Sequence, residues 1–319
     1  MKPPYTVTPK IIDLISLISE KLGRINSIHL NRPPTELRKR NRIRTIQSSL
    51  EIEGNTLTEG QITSLMENKR VVGPQKDIIE VQNAIKVYSS ITTFKYTLQK
   101  SLLKAHKTLM DRLLDDPGTY RTGSVGIVKG SKITHVAPPN HLVPQLMTDL
   151  FEYLTRDPDI LLLKSCVFHY EMEFIHPFQD GNGRMGRLWQ TLILMKLNPV
   201  FEFLPIEYLI KERQEQYYLS LQKSDKNGSS TVFIEFMLEI IRDSLDELLS
   251  TQNRTLKTED RINLFKSEIG FEEFTRKDYL RKFKEISAPT ASRDLKKAIE
   301  LNLIEKTGDK NTSKYRFIS

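Results

Sequence analysis

The run from His176 to Arg187 constrains this 319-residue chain more than any other segment. At Asp180-Gly181-Asn182-Gly183 the backbone must turn sharply, because two glycines and an asparagine tolerate positive φ. It must then enter a helix. Met185, Leu188, Trp189, Leu192 and Ile193 fall at helical spacing, which predicts a helix over Arg184 to Leu197 with one buried face. A glycine turn feeding a helix N-terminus presents outward-pointing N–H groups at the positive end of the helix dipole, which suits phosphate. Arg184 and Arg187 share a helix face beside that nest. The same run carries a titratable base, His176, and a carboxylate, Asp180.

Position for position, these residues match the HxFx[D/E]GNGRxxR signature, and the chain resembles Fic domains, which usually transfer AMP from ATP to a hydroxyl side chain of a protein. The resemblance assigns each residue a role that its chemistry can fill. A protein hydroxyl is a poor nucleophile, and His176 would take its proton as general base. Triphosphate chemistry commonly uses Mg²⁺, which takes one or two carboxylates plus phosphate oxygens, so Asp180 is the expected metal ligand. The backbone of Gly181 to Gly183 and the side chain of Asn182 would cradle the phosphates. Arg184 and Arg187 would hold the terminal phosphates with charge-assisted, fork-shaped hydrogen bonds. Phe178 is expected to pack beneath the loop. The other five histidines, His169 among them, read as core or surface residues.

A second motif lies upstream. Ser49-Leu50-Glu51-Ile52-Glu53-Gly54 fits the [S/T]xxxE[G/N] pattern with which Fic proteins inhibit themselves. Residues 38–52 read as a helix, with Gly54 as its C-cap. The resemblance implies that Glu53 pairs with Arg187 and removes the ligand of the ATP γ-phosphate, with Ser49 opening the motif. On the residues alone, Glu53 simply closes a surface helix. A third feature follows Gly118-Thr119-Tyr120-Arg121. Alternating residues, including Ile127, Ile133 and His135, predict a β-hairpin. It resembles the flap that Fic domains place over the active site to align a target; otherwise it is a plain surface hairpin.

The single cysteine, Cys166, excludes an intrachain disulfide, and no run is long enough to span a bilayer. These features, and the lack of a signal-like stretch, predict a cytoplasmic protein. The net charge of +8 permits nucleic-acid contact without demanding it. A basic cluster, Arg38-Lys39-Arg40 with Arg42 and Arg44, reads as a solvated helix face. Downstream of the signature, the family suggests a tyrosine lining the adenine pocket, and Tyr217 is the choice. Ser224 to Ser230 reads as a loop and Thr251 to Thr258 as a polar linker. Three short helical patterns and two strand-like runs then resemble a winged helix-turn-helix, whose helix from Pro289 carries Arg293, Lys296 and Lys297. Winged helices also serve in dimerisation and protein docking.

The expectation is therefore a mostly α protein. It has an N-terminal helical region (1–95), a Fic-type helical core with a β-hairpin flap (96–250) and a C-terminal winged-helix module (255–319). The leading function is protein adenylyltransfer to a Ser, Thr or Tyr hydroxyl, autoinhibited by Glu53. It uses ATP, with Mg²⁺ as cofactor; the protein target is not legible in the sequence, and the chain itself is one candidate. De-AMPylation, transfer of another nucleotide group, and a DNA-binding regulator with a nucleotide-sensing Fic domain stay open. So do DNA contact through 255–319 and a homodimer.

Overall fold

Helices dominate because apolar residues recur at helical spacing almost throughout. The computed structural model describes the chain except residues 1, 29, 31, 32, 34, 124, 125, 130, 131, 256, 257, 284, 285, 309–312 and 319, and except the side chains of 126–129, 132–136, 251–255 and 267. Fourteen helices are described: α1 (Pro9–Ser27), α2 (Thr35–Glu51), α3 (Glu59–Met66), α4 (Gln75–Ser89), α5 (Gln99–Leu109), α6 (Val143–Arg156), α7 (Leu161–Ile175), α8 (Asn182–Leu197), α9 (Ile206–Glu212), α10 (Gln214–Asn227), α11 (Thr231–Thr255), α12 (Thr258–Ile269), α13 (Arg276–Lys282) and α14 (Ala288–Glu300). Two antiparallel pairs accompany them, β1 (Gly126–Lys129) with β2 (Lys132–Val136), and β3 (Ile304–Thr307) with β4 (Lys314–Phe317). The chain forms two compact units, residues 1–244 and 245–319.

In the first unit, α7 and α8 form the centre. Both are buried on nearly every side, so neither reads as amphipathic. Their close approach depends on Gly186, where an added Cβ would stand 2.8 Å from His169 Cδ2. Trp189 is fully buried and donates Nε1–H to the Tyr96 carbonyl at 3.0 Å. The signature helix starts at Asn182, two residues earlier than its apolar pattern indicates, with Gly181 as N-cap at φ 85°.

α2 is different, because small polar residues carry much of its docking. Asn41, Thr45, Ser48 and Ser49 are buried beside Ile43, Ile46 and Leu50. The basic cluster is not a solvated face throughout. Arg42 donates to the Tyr88 carbonyl at 2.7 Å and pairs with Glu202 at 3.1 Å, and Arg44 lies 3.7 Å from the Tyr208 ring centre. Guanidinium groups pack on rings and carbonyls as readily as they face water, and charge in sequence does not separate the two. Ser224 to Asn227 is helical rather than loop, the turn being taken by Gly228 at φ 59°. Likewise α11 carries its helical backbone to Thr255, because polar residues are as compatible with a solvated last turn as with a linker.

The second unit closes around Ile262, Phe265, Phe274, Phe283, Leu295 and Phe317. Tyr279 and the Asp294–Arg261 pair sit within it, with Arg261 Nε and Nη2 donating to Asp294 at 2.6 and 2.7 Å. β3 and β4 pair with Ile304 opposite Phe317. Three helices and a two-stranded wing match the expected winged arrangement. Among the described residues no helix is long and apolar enough to cross a membrane.

Candidate active site

The site is built where α7 stops and α8 starts. His176 caps α7 in the left-handed region, φ 50° and ψ 58°, a conformation that costs a non-glycine residue roughly 1–2 kcal/mol. Arg121 holds it there. Its Nε donates to the His176 carbonyl at 2.7 Å, Nη2 to the carbonyls of Pro138 (2.6 Å) and Ile175 (3.3 Å), and Nη1 to that of Gly123 (2.8 Å). Its backbone N–H adds a bond to the Pro177 carbonyl at 2.9 Å. One buried guanidinium thus fixes the chain on both sides of the candidate base.

The loop after His176 rests on an aromatic floor. Phe178 is fully buried and stacks on the His106 ring at 3.7 Å, nearly parallel. His106 Nδ1 accepts the Gly118 N–H at 2.8 Å, so Nε2 carries the hydrogen that goes to the Asp180 carbonyl at 3.0 Å. Burial pushes this imidazole down to about 4 and keeps it neutral for that double role. Asn182 closes the loop from the other side: its Oδ1 accepts from the Phe178 N–H and its Nδ2 donates to the Phe178 carbonyl, at 2.8 and 2.9 Å. The Asn182 side chain therefore shapes the cradle, while the backbone at the start of α8 faces outward with first-turn N–H groups that have no intrahelical acceptor. Gly181 is required twice over, by its positive φ and by Met110 Sδ, 2.9 Å from where a Cβ would stand.

The two arginines of α8 each find a carboxylate. Arg184 is 4 % exposed, with Nη1 on Glu80 Oε1 at 3.2 Å and Nη2 on Asp180 Oδ1 at 3.1 Å. Asp180 is half exposed, and its Oδ2 forms no hydrogen bond among the described residues. Arg187 is 2 % exposed; Nη2 meets Glu53 Oε1 at 2.7 Å and the Ser49 carbonyl at 2.9 Å, and Nε meets Ser49 Oγ at 3.2 Å. The expected contact of the Ser49–Gly54 segment with the second arginine is thus present, with a single carboxylate oxygen engaged. Gly183 is the close-approach point: an added Cβ would lie 2.7 Å from Glu53 Oε1 and 3.0 Å from Arg187 Nη1.

Tyr217, expected at an adenine pocket, is buried instead, with its hydroxyl 2.7 Å from Glu173 Oε1 and 3.1 Å from His169 Nε2. In the hairpin, Ile127 pairs with His135 and Val128 with Ile133, with a register shift between Ile127 and Val128. The side chains of Ile127, Ile133 and His135 lie outside the described residues. Glu80, His106, Arg121 and Glu173 were not anticipated. Each sits in an ordinary helical or turn context, and only the fold brings it to the loop.

Comparison with known proteins agrees with this geometry. The Fic/DOC family matches residues 96–194. A crystal structure of a Fic family protein from Desulfovibrio desulfuricans G20 is 42 % identical, covers 100 % of this chain and 99 % of that one, and superposes with a TM-score of 0.76. The chain belongs to the Fic family. The protein adenylyltransferase Fic of Nematostella vectensis is 28 % identical over 252 residues, which is 75 % of this chain and 56 % of that protein. That of Drosophila mojavensis is 27 % identical over 245 residues, 73 % of this chain and 46 % of the relative. The chain thus spans about half the length of these curated relatives. A fragment of Fic-1 from C. elegans shares the fold, with a TM-score of 0.59 at 21 % identity over 77 % of this chain and 76 % of that one.

Proposed function

We propose that the chain is a protein adenylyltransferase held in an autoinhibited state. The observation that carries this reading is the Arg187–Glu53 contact, made directly beside the phosphate-cradling turn of Gly183. His176 takes the proton of a Ser, Thr or Tyr hydroxyl. The hydroxyl oxygen attacks the α-phosphorus of ATP, the bond to the β-phosphate breaks, and pyrophosphate leaves. The amides of Gly181, Asn182 and Gly183 hold the phosphates, Arg184 orients Asp180 and faces the same anion, and Arg187 clamps the γ-phosphate once Glu53 withdraws.

Asp180 fits an Mg²⁺ ligand: one half-exposed carboxylate with Oδ2 unengaged suffices when phosphate oxygens and water complete the shell. The metal would neutralise charge on the phosphates. The β1–β2 hairpin, including Ile127, Ile133 and His135, aligns the target as an added strand. The buried Cys166, whose thiol burial pushes up to about 12, suits a reducing cytoplasm. Purified protein incubated with each labelled nucleoside triphosphate, followed by mass spectrometry, tests the activity. Adenylyl adducts on protein, stronger for Glu53→Gly and abolished by Asp180→Ala, are expected; adducts from another nucleotide alone would replace ATP in this scheme.

For residues 255–319 we infer DNA contact. The supporting observation is the wing geometry with exposed Arg293 and Lys296 on α14. Affinity for duplex DNA should fall steeply with salt. Binding to no duplex would leave the protein-docking role.

A further inference from the structure

Beside the inhibitory contact lies a carboxyl group to which adenylyl transfer assigns no task. Glu173 is part-buried one turn before His176 on α7. Its Oε1 would stand 3.0 Å from a Cβ added at Gly183, on the side already crowded by Glu53 Oε1 and Arg187 Nη1. Two carboxyl groups and one guanidinium therefore share a space too small for a methyl group. Nε and Nη2 of Arg187 are satisfied, yet its buried Nη1 makes no hydrogen bond there.

A chain of buried polar groups backs Glu173. Gln190 turns Nε2 to Cys166 Sγ at 3.6 Å and Oε1 to His169 Nδ1 at 2.7 Å. His169 is fully buried; burial, then the charge of Arg187, push its imidazolium down to about 3, so the ring is neutral. Nδ1 must then be the donor to Gln190, which leaves a lone pair on Nε2. Tyr217 Oη lies 3.1 Å from that nitrogen and donates its hydrogen to Glu173 Oε1 at 2.7 Å. Burial first, then the charge of the neighbouring Glu53 carboxylate, raise the Glu173 carboxyl to about 7. With Glu53 Oε1 crowded against the same point, the two carboxyl groups resist carrying charge together.

We propose that Glu173 is a positioning residue of the Arg187 latch: it stays protonated while Glu53 is docked, and when Glu53 leaves it ionises and holds Arg187 Nη1. This rests on the autoinhibited reading. The proton goes to solvent. Tyr217 keeps donating to the carboxylate when it ionises. Nη1 anchored on Glu173 leaves Nη2 and Nε, freed from Glu53 and Ser49, to meet phosphate as a fork. The groups facing Glu173 are Glu53 after α2, Arg187 on α8, and Tyr217 and Asp225 on α10. The carboxyl has its higher pKa while latched. Its proton therefore favours the latched state at low pH, and that preference fades as pH rises toward and through about 7.

Nucleotide affinity is the readout, since transfer would add the titration of the base itself. Calorimetry with Mg·ATP at pH 6 and pH 8, on the full chain, compares wild type, Glu173→Gln, Glu53→Gly and the double variant. Wild type should gain about tenfold more affinity across that range than Glu173→Gln, the factor for one unit of differential pKa. In the Glu53→Gly background the glutamine removes the anionic anchor of Arg187 and should weaken binding, more at pH 8 than at pH 6. In buffers of different ionisation enthalpy at pH 6.5, wild type should release a substantial fraction of one proton per ATP beyond that released by Glu53→Gly. Equal pH dependence of wild type and Glu173→Gln overturns the proposal, as does equal proton release by wild type and Glu53→Gly, which decides the matter even if the glutamine variant fails to fold. Failure of Glu53→Gly to tighten binding at pH 6 sinks autoinhibition instead.

Discussion

Arg184 and Arg187 stand three residues apart on one helix face, and each meets a glutamate from the first ninety residues, yet the two pairs are built for opposite purposes. Glu80 comes from the middle of α4, and both side chains of its pair are nearly sealed, at 4 and 7 % exposure. Its second oxygen accepts from Asn55 Nδ2 at 2.8 Å, so the carboxylate is held from two sides. Glu53 comes from the turn after α2, its side chain is 32 % exposed, and among the described residues its carboxylate makes one hydrogen bond, to Arg187. A carboxylate rooted within a helix cannot leave without moving the helix, whereas one on a turn can leave by local rotation. The identity of the pair does not decide whether it is scaffold or latch. Where the acid is rooted, and how far water reaches it, does.

The largest effect should come from breaking the sealed pair. Glu80→Ala leaves the buried Arg184 guanidinium with only the half-exposed Asp180 as partner, at a cost toward the lower end of the about 3–5 kcal/mol of a broken buried pair. In a unit of this size that lowers Tm by roughly 10 °C. Glu53→Ala should cost less, because its carboxylate is 32 % exposed and Glu173 stands beside Arg187 Nη1 to take up the freed charge. Denaturation of both variants checks the contrast, and equal losses would break it.

Catalysis offers the next test. His176→Ala should lose at least about 10²-fold in transfer while still binding ATP, because the loop amides and Arg187 are untouched. Arg187→Ala should be inactive whether or not Glu53 is replaced. Glu53→Gly alone should raise transfer well above wild type, including self-modification at exposed hydroxyls. If Arg187→Ala retained activity in the Glu53→Gly background, the clamp would lie elsewhere, and Arg184 would be the residue to examine.

The difference between the pairs also tracks what the sequence disclosed. The loop and the helix after it were legible because glycine turns and apolar periodicity are local signals, whereas the Glu53–Arg187 contact was implied only by the resemblance of the Ser49–Gly54 motif to Fic proteins. The winged arrangement was legible through the same local signals. Glu80, His106, Arg121 and Glu173 were not, since each reaches the site through a partner 44 to 104 residues away, brought near only by packing. Glu80 on an amphipathic helix gives no hint that Arg184 will meet it. Tyr217 shows the converse: a residue type suited to stacking on a base was buried by helix packing and drawn to Glu173.

Acid separates the two sites most finely, because they should respond in opposite directions. His106 is 1 % exposed, and burial holds its imidazole at about 4, below the ordinary 6.5. The unfolded chain therefore binds the proton more readily. The stability that a neutral His106 contributes is present above pH 6.5 and is lost as pH falls toward 4, at up to about 1.4 kcal/mol per pH unit. Its loss loosens the Asp180 carbonyl and so the Arg184 side. On the Arg187 side, the same acid keeps Glu173 protonated and the latch shut. His106→Gln can keep both hydrogen bonds without a titrating ring. It should be less stable at pH 7 through loss of the Phe178 stack, but its denaturation free energy should fall less steeply than that of wild type between pH 6.5 and 4.5; buried His169 adds to the slope in both proteins, and the raised carboxyls of Glu171, Glu173 and Glu207 oppose it equally in both. An unchanged slope would show that His106 is not the acid-sensitive support of the loop.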